Sequence, residues 1–109
     1  MNVLVTSLND YTIVSIEGRI DTTNANEFEK SIMDVIEGGS VRIILDCSGL
    51  NYISSSGLRV FLIALKKMKA SKGIYRLCNL QPVIKGIFDV AGFSSIFSIF
   101  PNLQRALEG

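Results

Sequence analysis

Val41-Arg42-Ile43-Ile44-Leu45-Asp46-Cys47-Ser48-Gly49-Leu50-Asn51-Tyr52-Ile53-Ser54-Ser55-Ser56-Gly57-Leu58-Arg59 is the stretch on which the fold turns. Val41 to Cys47 is apolar at most positions, the pattern of a central strand buried on both faces. Ser48 to Ile53 reads as a short irregular loop. A helix follows from about Ser56 to Ala70, with Leu58, Phe61, Leu62, Leu65 and Met68 as its apolar stripe and Val60, Ile63 and Ala64 widening it. Arg59, Lys66, Lys67 and Lys69 are left for water. A buried strand feeding a helix in this way is the repeating unit of a parallel α/β sheet.

On the N-terminal side, Val3-Leu4-Val5 and Tyr11 to Ile16 are β-branched runs joined by Asn9-Asp10, a hairpin signal. Gly18-Arg19-Ile20-Asp21 leaves the second strand. Asn24, with Glu27 three residues on, resembles a capping box, and Ala25, Phe28, Ile32, Val35 and Ile36 mark the first helix. Gly38-Gly39-Ser40 stops it. On the C-terminal side, Lys72-Gly73 ends the second helix and Ile74 to Cys78 is the next strand. Pro82 suits the first position of a third helix and Gly92 its C-terminal cap. Ile96 to Phe100 reads as a last strand, and Pro101-Asn102 opens a short terminal helix. The order is β-β-α-β-α-β-α-β-α over one domain, residues 1–109. It predicts an α/β fold with a mostly parallel central sheet, an N-terminal β-hairpin and four helices, and it leaves the strand order open.

Composition narrows the chemistry. The 109 residues include no His and no Trp, which excludes a Ser-His-Asp triad, a Cys-His pair and any His-ligated zinc. Two cysteines cannot make an all-thiolate zinc site within one chain, and both Cys47 and Cys78 lie in strand-like apolar runs, as reduced core thiols do. No glycine-rich nucleotide fingerprint, phosphate loop or nucleophile elbow is present, and no carboxylate pair has a spacing that marks acid/base work. An enzyme is not expected, and no metal or cofactor is implied. Met1-Asn2-Val3 opens directly into a strand pattern with no basic leader and no long apolar run follows, so a soluble protein without a signal peptide or membrane insertion is expected.

The net charge of +1 gives no pull toward nucleic acid, but it is unevenly spread. Residues 1–54 carry eight acidic and three basic side chains, and residues 55–109 two acidic and eight basic. Six of the basic residues fall between Arg59 and Arg76, either an anion-attracting surface or the solvated face of one helix.

The three serines Ser54, Ser55 and Ser56 stand between the end of a buried strand and the start of a helix. Ligand sites gather at this edge of parallel sheets, and a helix N-terminus favours an anion there. Serines in the same place can equally do no more than cap the helix.

Four segments together resemble a known family. They are Glu17-Gly18-Arg19-Ile20-Asp21, Asp46-Cys47-Ser48-Gly49-Leu50, Tyr52-Ile53-Ser54-Ser55-Ser56-Gly57-Leu58, and Ile87-Phe88-Asp89-Val90-Ala91-Gly92-Phe93. In this order and at these distances they resemble a stand-alone STAS domain of the anti-sigma factor antagonist family. The resemblance implies a partner-switching module. The unmodified domain would bind an anti-sigma factor that is also a serine kinase, phosphorylation would end the binding, and a PP2C-type phosphatase would restore it. The acceptor position falls on Ser55, with Ser54 and Ser56 as lesser candidates. The partner surface would draw on Asp21, Asn51, Ser54, Ser55, Ser56, Gly57 and Arg59. Two positions depart from the family's usual string: Ser54 stands where an Asp is usual, and Arg59 where a Gly is frequent. Rival readings are a non-phosphorylated STAS subunit that binds the ABC-type ATPase of a membrane transport complex, and a small nucleotide-binding domain using the same loop.

Overall fold

Asn9 and Asp10 both take left-handed backbone angles, φ 51° and 67°, as a two-residue hairpin turn between twisted strands requires. They join β1 (Asn2–Leu8) to β2 (Tyr11–Ile20) in antiparallel register, from Leu8 opposite Tyr11 to Asn2 opposite Glu17. The computed structural model describes residues 1–109. After the hairpin the chain alternates: α1 (Ala25–Glu37), β3 (Arg42–Ile53), α2 (Ser55–Ala70), β4 (Ile74–Cys78), α3 (Pro82–Val90), a 3₁₀ turn (Phe93–Ser95), β5 (Ser98–Phe100) and α4 (Leu103–Glu108). The five strands lie side by side in chain order, and β2 through β5 are parallel.

The two faces of this sheet are covered very differently. Helices α1, α2 and α3 pack on one face over a core that includes Ile16, Ile20, Phe28, Ile43, Leu45, Leu50, Phe61 and Phe88. Phe61 stands between Phe28 and Phe88, with ring centroids 5.6 Å and 5.7 Å away. The other face has only α4, whose Ala106 sits over Tyr11, Ile13, Ile44 and Cys78. Arg76 Nη1 ties that helix down by donating to the Tyr11 hydroxyl at 2.8 Å and to the Ala106 carbonyl at 2.7 Å.

Several expected boundaries shift. Ser48 to Ile53 is not a loop but the second half of β3. Its core-facing residues Cys47, Leu50 and Ile53 come every third position instead of every second. The cause is two register shifts against β2, between Ser15 and Glu17 and between Gly18 and Arg19, which insert extra residues into β3. Gly49 permits the first of them, since a Cβ there would lie 2.8 Å from Glu17 Cγ and 3.0 Å from the Ile16 carbonyl. By the same pairing β2 runs on through Gly18 to Ile20 instead of ending before it.

The capping box at Asn24 does not form. Its side chain turns back instead, accepting from the Asp21 backbone N–H at 2.9 Å and donating to the Arg19 carbonyl at 3.0 Å. Helix α2 begins at Ser55, one residue early, and β5 begins at Ser98, two residues late, because Phe93–Ser95 forms the 3₁₀ turn.

Candidate functional site

The parallel strands β2 and β3 end together, Ile20 opposite Ile53, and their continuations build one rim. The Ser54 backbone N–H donates to the Ile20 carbonyl at 2.9 Å, locking the start of α2 to the end of β2. On the β2 side Asp21 organises the turn into α1. Its carboxylate accepts from the Thr23 backbone N–H at 2.9 Å, from the Thr23 hydroxyl, and from Arg19 Nε at 3.3 Å. Thr23's two donors, with Arg19 behind them, hold the Asp21 carboxyl below the usual carboxylate range.

On the β3 side the three serines have three different fates. Ser54 is the cap of α2: its backbone is extended (φ −86°, ψ 173°) and its Oγ accepts from the Gly57 N–H at 3.2 Å. That hydroxyl is engaged. Ser55 is the first helical residue, exposed, with its hydroxyl free of any bond to the chain. Ser56 is half-buried and turns toward α1, where it lines a hollow of about 110 Å³ with Thr22, Asn26, Glu29 and Arg59.

Gly57 lies beneath the rim, not on it. A Cβ there would stand 2.7 Å from Ile53 Cγ1 and 2.8 Å from Ile20 Cγ2, so only glycine lets α2 rest on the strand ends. It was expected on the partner surface, but it is buried, and it acts by seating the helix. Asn51 and Arg59 are exposed, Arg59 one helical turn beyond Ser55. No acidic residue stands in the first turn of α2, so that turn itself offers no carboxylate to the positive end of the helix dipole.

Two residues of the resembling segments that the expected partner surface leaves out, Arg19 and Tyr52, also lie on the rim. Tyr52 is 41% exposed, and the Arg19 guanidinium lies over its ring at 4.6 Å from the centroid. Arg19 also reaches Asp21, so Tyr52, Arg19 and Asp21 form one connected edge of the rim. The signal was the strand register, which pairs Arg19 with Tyr52 once Ser48–Ile53 is recognised as strand.

The cysteines lie elsewhere. Both are fully buried and free. Burial pushes both thiols up, Cys78 to about 12, so neither is a thiolate at neutral pH.

The model of the STAS domain matches residues 2–106. The chain belongs to the STAS domain family. BtrV of Bordetella bronchiseptica, assigned as an anti-sigma factor antagonist, is 32% identical over 106 residues, 97% of this chain and 91% of its own length. The anti-sigma-B factor antagonist of Bacillus subtilis is 31% identical over 96 residues, 87% of this chain and 86% of its own.

Among solved structures, a Thermotoga maritima protein assigned as an anti-sigma factor antagonist superposes with a TM-score of 0.92 at 22% identity, covering 97% of this chain and 92% of that one. Unphosphorylated SpoIIAA, a Bacillus anti-sigma factor antagonist, superposes at 0.82 with 18% identity over 98% and 94% of the chains. These likenesses show the fold. The STAS relatives named here are antagonists of anti-sigma factors, that is, regulators and not enzymes. No helix of this STAS chain is long and apolar enough to cross a membrane.

Proposed function

We propose that this STAS domain, acting as one unit over residues 1–109, is an anti-sigma factor antagonist whose docking rim is switched by phosphorylation of Ser55. The observation that carries the reading is the contrast between neighbouring hydroxyls: Ser54 is held as the helix cap, whereas Ser55 is exposed and unbonded at the first helical position. A kinase can take Ser55 without dismantling anything.

The partner surface is the rim of Asp21, Asn51, Ser54, Ser55, Ser56 and Arg59, extended by Arg19 and Tyr52. The unmodified domain docks there on an anti-sigma factor that is also its serine kinase, in the cytoplasm, and a PP2C-type phosphatase resets it. Phosphate brings about −1.5 to −2 charges and three acceptor oxygens to one point of a surface that must fit a partner. The fold tolerates it, because an anion at a helix N-terminus is favourable and Arg59 stands four residues on. The switch therefore works by local charge and bulk, not by unfolding. A phosphorylated form of the fold relative SpoIIAA has been solved, which is in keeping with such a mechanism.

The test is capture of the partner from the native host with immobilised protein, wild type beside Ser55→Asp. Retention of a serine kinase with anti-sigma activity by the wild type, reduced on Ser55→Asp, is expected. Capture of an ABC-type ATPase, indifferent to Ser55, would instead point to a transport-complex subunit.

A further inference from the structure

Asn2-Val3-Leu4-Val5-Thr6-Ser7-Leu8 forms the outer strand β1, and no charge, proline or register shift interrupts it. An outer strand offers unpaired backbone N–H and C=O groups, and proteins ordinarily protect it with lysines, prolines, bulges or brevity. The opposite edge of this sheet has such protection: β5 is three residues long, follows a 3₁₀ turn and runs directly into Pro101. Strand β1 has none.

The hairpin fixes which groups face outward. Leu8 and Tyr11 flank the two-residue turn and so form the hydrogen-bonded pair that closes it. Alternation along an antiparallel ladder then commits Leu4, Thr6 and Leu8 to β2 and leaves the amides and carbonyls of Val3, Val5 and Ser7 pointing away from the sheet. Large apolar side chains flank this free edge on both faces. Leu4 and Leu8 are 61% and 43% exposed on the α4 side, and Val5 is 47% exposed on the other.

We propose that β1 pairs with β1 of a second copy of this chain, antiparallel about a two-fold axis at Val5, joining the two sheets into one. In this register Val3 meets Ser7 of the second copy, Val5 meets Val5, and Asn2 meets Leu8. The whole strand overlaps, and outward-facing groups meet only outward-facing groups. On the α4 face Leu4 stands diagonal to both Leu4 and Leu8 of the second copy, within reach of side-chain contact. The exposed leucines of the two chains therefore cover one another, while the two Val5 side chains meet on the opposite face. The strand carries no charge to oppose its own copy. This self-complementarity selects a second copy over an unrelated extended segment. The Ser55 rim lies beyond the β1 ladder, at the ends of β2 and β3. The antiparallel pairing turns the two rims to opposite ends of the joined sheet.

The experiment is sedimentation of the full chain over a range of concentrations, combined with amide hydrogen exchange followed residue by residue. A reversible monomer–dimer equilibrium is expected. Protection of the Val3, Val5 and Ser7 amides should rise with concentration, while Leu4, Thr6 and Leu8 stay protected throughout. Val5→Lys places two like charges on the axis and should weaken the dimer ~10-fold or more, with an unchanged circular dichroism spectrum. Val5→Pro removes an amide that β2 does not use and should act the same way. A monomer at every concentration, a dimer indifferent to Val5→Lys, or outward amides that exchange freely in the dimer would each overturn the proposal.

Discussion

The buried side of α2 and its exposed first turn belong to one helix yet obey opposite requirements. Leu58, Phe61 and Leu65 fill the space between helices and sheet, and Phe61 has no exposure at all. There every methylene counts and little change is tolerated. One turn away, Ser55 and Arg59 touch little and can be altered or modified at small cost to the fold. Stability is concentrated in the first region, and the proposed recognition belongs to the second. Gly57 and Ser54 form the seam between them, the glycine by letting the helix sit down on the strands and the serine by capping it.

The severest way to break this contrast is from below. Phe61→Ala removes the ring that links Phe28 to Phe88 and should cost about 3–5 kcal/mol in urea denaturation. Where the variant remains folded, its partner affinity should be nearly unchanged. A variant of parental stability that has lost its partner would move Phe61 to the recognition side.

Gly57→Ala tests the seam. The added methyl must displace Ile53 or Ile20, an overpacking cost of about 1–3 kcal/mol. It also lifts the first turn of α2, so affinity should fall with stability, unlike in Phe61→Ala. Ser54→Ala removes only the cap bond to the Gly57 N–H. A loss of about 1 kcal/mol is expected, with phosphorylation of the neighbouring serine retained.

Much of this division was legible in the sequence, and its failures have physical causes. The Asn9-Asp10 hairpin, the extent of β4, the Pro82 start of α3 and the core assignment of Leu58, Phe61 and Leu65 follow from local chemistry alone. The second half of β3 does not. Its buried residues recur every third position because of how it pairs with β2, and a single strand carries no trace of its neighbour's register. The place of Tyr52 beside Arg19 is hidden in the sequence for the same reason. The Asn24–Glu27 capping box failed because backbone groups of Arg19 and Asp21 compete for the same side chain. The serine run announced a helix start, but a one-residue shift in that start decides which hydroxyl is the cap and which is free.

The smallest effect belongs to the exposed turn itself. A phosphate on Ser55 gains the helix-terminus interaction, ~0.3–1 kcal/mol, and faces no carboxylate at position 54. The phosphorylated protein should melt at the same temperature as the unmodified one or slightly higher, and Arg59→Gly should remove part of any gain. Melting several degrees lower would mean that the Ser55 hydroxyl is a structural group after all.

The most direct measurement treats the protein with its cognate kinase and ATP, locates the phosphate by peptide mapping, and then measures binding to the anti-sigma factor. The phosphate should be found on Ser55, phosphorylation should abolish the binding, and Ser55→Ala should bind constitutively and remain unmodified. Phosphate on Ser54 or on a distant residue such as Ser71 or Ser94, or undiminished binding by the Ser55-phosphorylated protein, would contradict the switch proposed for this rim.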